Sequence, residues 1–421
     1  MKKKFQKTAA LLMALLLTLS LLSACGGNDS GKTPDSDPAT AVNNENENTQ
    51  EPNTPAEPET PASDDDVDGE LIVDHEEELK YAQCFTMTHY KGGYISFKVL
   101  GGDEEAWTYL IIPEGKSVPA DLGDDYVILQ QPITSVRCCS GSGSAISSFG
   151  GLDRVTSMSM KADSVAIPAL QEAFANGSLV YTGGYKEPEY ETILDLNTQL
   201  VIDTGMASGA EDAKAKLIEL GIPYLAPRNA KEVHPLGYNE WAKVYGAILG
   251  MLDEATAYFE ECVEQVEALA GMENTGKSVL MMYCSSDGTK VYVPRGGDSW
   301  GCLVELAGGV NAAKDYEAGE TGTGTIGDEE FYAMFKDADY LFNMNMAAKL
   351  WTLDELLEHE PLLKDFKAVQ EDHAYICIDR IYQFNYDFAG MIADMNQILT
   401  DDTVNETTYF YRATTPPASA E

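Results

Sequence analysis

The chain has 421 residues, with 69 acidic against 28 basic side chains and a formal net charge of −41. So strong an acidic excess excludes a nucleic-acid partner, and it excludes electrostatic adhesion to anionic lipid. Hydrophobic side chains make up 44% of the residues, enough to bury a substantial core.

The first element is a secretory signal over residues 1–24. Lys2, Lys3, Lys4 and Lys7 precede the apolar run AALLMALLLTLSLL, and small residues lead to Cys25. That run is too short and too early for the span of a mature membrane protein. Leu22-Ser23-Ala24-Cys25 resembles a bacterial lipobox, which implies cleavage before Cys25 and lipidation of its thiol. Losing those four lysines makes the net charge of −41 into −45. Residues 25–69 follow as a lipidated acidic stalk, dominated by Pro, Asn, Thr, Glu and Asp. With almost nothing apolar to bury, such a segment does not offset its ordering entropy.

From residue 70 the composition becomes globular, and about 340 residues predict two lobes. Residues 70–238 form the expected N-terminal α/β lobe. ITSVRCCS leads into a Ser/Gly loop, SGSGS, and then a helical AISSFGG. The short apolar runs VTSMSM, SLVYTGG, LVIDTGM and IPYLAPR alternate with helical stretches such as AKAKLIELG. Residues 239–271 form the expected connecting helix. Its apolar stripe runs through Trp241, Val244, Ile248, Leu252, Ala255, Phe259, Val263, Val266 and Leu269 at a 3.6-residue period. About 32 helical residues would span roughly 48 Å. Residues 272–405 form the expected C-terminal α/β lobe, with runs at KSVLMMYC, DADYLFNMN and AYICID, and 406–421 a tail.

Two patterns occur twice in the same order. AISSFGGLDRV and CLVELAGGVNAA are each an apolar helix, a Gly-Gly stop and a strand. PEYETILDLNTQLVID and GDEEFYAMFKDADYLFNM each set acids on a short helix ahead of an apolar run. The chain therefore reads as two related lobes in tandem.

Seven cysteines besides Cys25 (84, 138, 139, 262, 284, 302 and 377) are odd in number and lack C-x-x-C spacing. This argues for free thiols over a disulfide scaffold or zinc ribbon. The five histidines (75, 89, 234, 359 and 373) show no H-x-H or H-E-x-x-H spacing, so no metal site is expected. Of these, only His234 is placed to reach a cleft between lobes. SGSGS lacks the G-x-S-x-G elbow of a surface hydrolase, and no G-x-G-x-x-G follows a strand. No catalytic residue and no cofactor are expected. A surface hydrolase, or an adhesion or scaffold lipoprotein of the same fold, is the alternative.

In the order and spacing of these pieces, residues 80–400 resemble the class III, helical-backbone substrate-binding proteins of ABC importers. The resemblance rests on ITSVRCCS…FGGLDRVTSMS, GGYKEPEYETILDLNTQLVID, LIELGIPYLAP, EWAKVYGAILGMLDEA, LVELAGGVNAA and EEFYAMFKDADYLF. The chain departs from the family pattern at Asn197-Thr198-Gln199, where Lys-Pro-Asp is usual. The resemblance implies an α/β fold of two Rossmann-like lobes with parallel-rich sheets joined by one long α-helix. It implies capture of an iron–siderophore, haem or cobalamin-like ligand by a monomer tethered to the outer face of the membrane through its lipid. It also implies docking to two permease subunits through Glu191 on the first lobe and Glu329, with Glu330 beside it, on the second.

Open α/β sheets bind ligands at the carboxyl ends of their strands. The candidates there are Ser140, Ser142, Met158, Met160, Tyr185, Met206 and Arg228 on the first lobe. On the second they are Tyr283, Arg295, Trp300, Met344, Met346, Arg380 and Tyr382. Aromatics and methionines suit a bulky, partly apolar ligand, and arginines suit carboxylates or an anionic chelate.

Overall fold

Alternation along FTMTHY sets the first unit, because Phe85 and Met87 turn inward while Thr86 faces solvent. The computed structural model describes residues 70–101, 107–123, 125–204, 210–269, 271 and 274–417. Cys25 and Met206 lie outside them. Strands β1 (Val73–Glu76), β2 (Phe85–Tyr90), β3 (Ile95–Val99), β4 (Thr108–Ile112) and β5 (Tyr126–Gln130) pair in sequence order. All these pairings are antiparallel except β4 with β5. One face sends Phe85, Met87, Phe97, Tyr109 and Ile111 into the main core. Tyr94, Leu110 and Ile112 form a small cluster of their own. Residues 70–238 are thus not one α/β lobe throughout. They begin with a sheet that holds no α-helix among its described residues.

The first α/β lobe starts at β6 (Val136–Cys138). It continues through α1 (Ser140–Ser148), β7 (Val155–Met158), α2 (Pro168–Asn176), β8 (Val180–Tyr181), α3 (Tyr190–Asp195), β9 (Leu200–Ile202), α4 (Glu211–Glu219) and β10 (Tyr224–Leu225). Its sheet, in the order β10-β9-β6-β7-β8, is parallel throughout.

Three helices, α5 (Pro235–Glu240), α6 (Ala242–Leu249) and α7 (Leu252–Ala268), replace the expected unbroken helix over 239–271. The break is chemical. Gly250 takes a left-handed φ of 70° at the end of α6, and the Met251 N–H bonds back to the Gly246 carbonyl at 2.8 Å. That is the six-to-one bond of a Schellman stop. Helix α7 then packs on α6 so closely that a Cβ on Gly246 would stand 2.4 Å from that of Ala255. The predicted stripe survives, but it serves two cores. Trp241, Val244, Ile248 and Ala255 pack in the first, and Phe259, Val263 and Val266 in the second. The long element joining the lobes is the 17-residue α7, about 25 Å in length.

The second lobe runs β11 (Ser278–Cys284), β12 (Val291–Pro294), α8 (Ser299–Leu306), β13 (Val310–Asn311), β14 (Thr323–Ile326), α9 (Asp328–Phe335) and β15 (Tyr340–Asn343). It finishes with α10 (Leu353–His359), α11 (Lys367–Gln370), β16 (Ala374–Cys377), α12 (Phe388–Thr400) and β17 (Phe410–Arg412). Strand β11 pairs in parallel with β13 and β15, and β15 with β16. Strands β12, β14 and β17 add antiparallel edges. The expected tail at 406–421 therefore begins as structure, with Tyr411 and Ala413 inside the core. Strands β6, β7, β9 and β10 of the first lobe correspond to β11, β13, β15 and β16 of the second. All seven cysteines of the described residues are free.

Candidate functional site

The lobes meet where the 3-10 helix Ile381–Asp387 reaches across to the first lobe. Gln383, 1% exposed, anchors the seam. Its Oε1 accepts the N–H of Ala166 at 2.8 Å, and its Nε2 donates to the Ser164 carbonyl at 2.9 Å. Asn239 donates to the Asn385 carbonyl at 3.1 Å, and the Tyr258 hydroxyl to that of Tyr386 at 3.0 Å. The space enclosed among Gly141, Ser144, Tyr238, Asn239, Gln383 and Tyr386 is about 10 Å³, the room of one water. Among these residues the seam has no room for a larger ligand.

At the rim, cations from both lobes approach one glycine. A Cβ on Gly322 would lie 3.1 Å from the Lys231 ammonium and 3.7 Å from the Arg295 guanidinium. Arg295 pairs with Glu317 and donates to the Thr321 carbonyl. Between them sits buried Asp298, which caps α8 through the Trp300 N–H and accepts the Gly322 N–H at 2.6 Å. Burial pushes the Asp298 carboxyl up, against these donors and the nearby Lys231 and Arg295. Arg228 lies beside Gly101 with its Nε unpartnered.

The other predicted ligand residues separate by burial. SGSGS is not a loop but the start of α1, so Ser140 and Ser142 are buried in its first turn. Met158, Met344 and Trp300 are core residues, Trp300 lying edge-on to Phe388. Those five are buried in this structure. Met160 touches Gln383 across the seam at 3.5 Å. Met346 is half-buried against the second core. Tyr283 stacks on Tyr292 and meets Thr323. Arg380 pairs with Asp379, which Lys349 also holds. Tyr185 is exposed, and Tyr382 is half-buried. His234 does not reach for a ligand. Its Nδ1 caps α5 by accepting the Leu236 N–H, and its ring stacks on Tyr81.

The acids singled out for docking are all exposed. Glu191 lies in the first turn of α3, whose Ile193 is buried. Glu329 and Glu330 lie in the first turn of α9, whose Phe331 and Phe335 are buried. Helix α3 leads into β9 and α9 into β15, strands that occupy equivalent places in the two sheets.

Two groups carry no local motif, and sequence reasoning missed them. One is Gln383, a lone amide whose partners lie more than 200 positions away. The other is a clasp on the connector. Buried Glu240 accepts the N–H groups of Lys80, Tyr81 and Ala82, and buried Glu232 those of Gln83 and Cys84. Glu232 also takes the Trp241 indole N–H. Lys243 bridges Glu240 and Glu77. The hydrogen bond from His89, with Lys243, holds the Glu77 carboxyl at about 2 against the effect of burial.

Two α/β lobes on a helical connector, with closely matched topology and a seam between them, define the helical-backbone class of bilobal binding protein. The chain belongs to the periplasmic binding protein family, whose model matches residues 151–380, and it is a substrate-binding protein of the ABC-transport type. It is 26% identical over 332 residues to an uncharacterized lipoprotein of Methanocaldococcus jannaschii, covering 72% of this chain and 77% of that one. Its fold is similar to that of a periplasmic heme binding protein from Pseudomonas aeruginosa, with a TM-score of 0.53 and 16% identity over 68% of this chain and 100% of that one. A periplasmic heme-binding protein from Roseiflexus sp. RS-1 is similar too, with a TM-score of 0.51 and 20% identity over 63% of this chain and 97% of that one. These neighbours are binding proteins rather than enzymes.

Proposed function

We propose that the chain is the lipid-anchored capture subunit of an ABC importer, tethered through Cys25 and working as a monomer. It takes an iron chelate, haem or cobamide at the rim of the seam and delivers it to a permease. The observation that carries this reading is the pair of exposed acidic turns, Glu191 on α3 and Glu329 with Glu330 on α9, at equivalent places on the two lobes. Two fixed carboxylates on matched lobes read a two-fold receptor and set its register. Arg228, Lys231 and Arg295 favour an anionic ligand, with Tyr185, Tyr283 and Tyr382 offering aromatic surface. Two of the similar folds are heme-binding proteins by name.

The test pairs a fluorescence titration of the protein against ferric siderophores, haem and cobalamin with uptake measurements. One of the three ligands binds tightly, and Arg295→Ala weakens it about tenfold, a loss of roughly 1.4 kcal/mol. Glu191→Ala and Glu329→Ala lower uptake while the ligand affinity stays unchanged. Retention of none of the three ligands, or loss of ligand binding in Glu191→Ala, overturns the reading.

A further inference from the structure

Strand pairing brings together two histidines that lie 14 positions apart in the chain. In the β1–β2 pair, His75 faces His89, with a register shift between Val73 and His75. That irregularity has the form of a β-bulge at Asp74, a device that re-aims side chains at an edge. The imidazoles stack with centroids 4.3 Å apart and planes within 6°. Two residues beyond His75 on the same face stands Glu77, whose Oε2 lies 3.0 Å from His89 Nε2. Ligand atoms of His75, Glu77 and His89 all fall within 4.8 Å of one another.

We propose that His75, Glu77 and His89 form a binding site for a first-row divalent transition metal, of which Zn²⁺ is the test ion, on the edge of the N-terminal sheet. Two imidazoles and a carboxylate are the donor set of borderline cations rather than of Ca²⁺ or Mg²⁺. A tetrahedral Zn²⁺ with bonds of about 2.0–2.1 Å holds its ligands about 3.3 Å apart, so binding turns the imidazoles out of their parallel stack to aim both rings at the ion. His75 is the exposed member, while His89 and Glu77 are mostly covered. His75 and His89 border an open depression lined also by Asp74, Tyr90 and the Lys91–Gly93 turn.

The surroundings are arranged as a metal's outer shell would be. Asp74 Oδ2 lies 2.8 Å from His75 Nδ1, which fixes the ring and leaves Nε2 to ligate. Lys243 holds the other Glu77 oxygen at 2.7 Å. Through Lys243 and Glu240 the site reaches the connector between the lobes. It lies on the N-terminal sheet rather than at the seam between the lobes.

The test is calorimetric titration of the intact chain with Zn²⁺, with the visible absorption of bound Co²⁺ reporting geometry. One equivalent binds, with the intense spectrum of a tetrahedral centre. His75→Ala and His89→Ala each weaken binding at least tenfold, Asp74→Asn weakens it less, and His359→Ala leaves it unchanged. Because His75 is exposed, His75→Ala decides the matter even if His89→Ala fails to fold. Absence of saturable Zn²⁺ binding, or a stoichiometry and affinity that survive His75→Ala, overturns the proposal and leaves a histidine–carboxylate pair alone.

Discussion

Each lobe must pin the start of its first strand to the start of a neighbouring one, and the two lobes do so with different chemistry. Ahead of β9, the Gln199 Oε1 accepts the N–H groups of Thr134 and Ser135 at 2.8 and 3.1 Å, and its Nε2 donates to Pro132. Ahead of β15, Asp339 Oδ2 accepts the N–H and the hydroxyl of Ser278 at 2.7 and 2.8 Å, and its other oxygen meets Lys367. The same position carries a neutral amide in one lobe and a compensated carboxylate in the other. An amide brings donor and acceptor together and needs no counter-charge. A carboxylate bonds more strongly but requires a cation, and it makes its lobe sensitive to acid. This also explains Asn197-Thr198-Gln199, where the family pattern has Lys-Pro-Asp: Gln199 does the acceptor's work without the charge.

The comparison is broken most severely at the joint. Gly246→Val places branched carbons where Ala255 already stands, and overpacking of this kind costs about 1–3 kcal/mol or more. Since α6 packs in the first core and α7 runs from the first core into the second, both lobes lose stability together, and urea unfolding followed by fluorescence shows one broad shift. Two separate transitions, with one lobe unaffected, would contradict that linkage.

At the clamps the effects are smaller and unequal. Asp339→Leu strands the Ser278 N–H, for a loss of about 1–3 kcal/mol, while Gln199→Ala costs about 1 kcal/mol. Denaturant midpoints of the two variants read the order directly, and a larger loss from Gln199→Ala would reverse the assignment of the stronger clamp.

The smallest effect is the most diagnostic. Partial burial pushes the Asp339 carboxyl up, but the Lys367 ammonium and the Ser278 donors outweigh it and hold the group below its ordinary 3.8. A depressed carboxylate contributes fully above its unfolded value and loses that contribution as pH falls through the folded one. The stability gap between the native chain and Asp339→Asn is therefore present near neutral pH and closes below about pH 4. The gap for Gln199→Ala stays constant over the same range. Equal pH responses of the two gaps would remove the distinction.

How much of this was legible depended on distance along the chain. LVID, SVLMMYC, DYLFN and AYIC are strands because apolar β-branched and aromatic runs of that length bury well on both faces, and they read locally. The stripe of α6 and α7 also read locally, yet its break did not, since Gly250 matters only once α6 and α7 pack. SGSGS reads as a loop by propensity and is a helix by packing. A Cβ at Gly143 would sit 3.2 Å from Cys138 Sγ, so small residues are what allow α1 its close seat. The N-terminal sheet was hidden inside an expected α/β lobe because, among the described residues, no α-helix separates its strands. At the rim, Arg295 was legible as a candidate, but Lys231, from the other lobe, comes near it only through the fold.

The clasp of Glu232 and Glu240 on residues 80–84 has a consequence for the order of events during synthesis. The Lys80 amide and its acceptor on Glu240 are 160 positions apart. At about 5–20 residues per second, the amides of that loop emerge roughly 8–32 s before the carboxylates that receive them exist. The N-terminal sheet is made first, but it cannot be locked down until the connector arrives. The sheet that precedes both lobes is thus sealed only after the whole first lobe has been made.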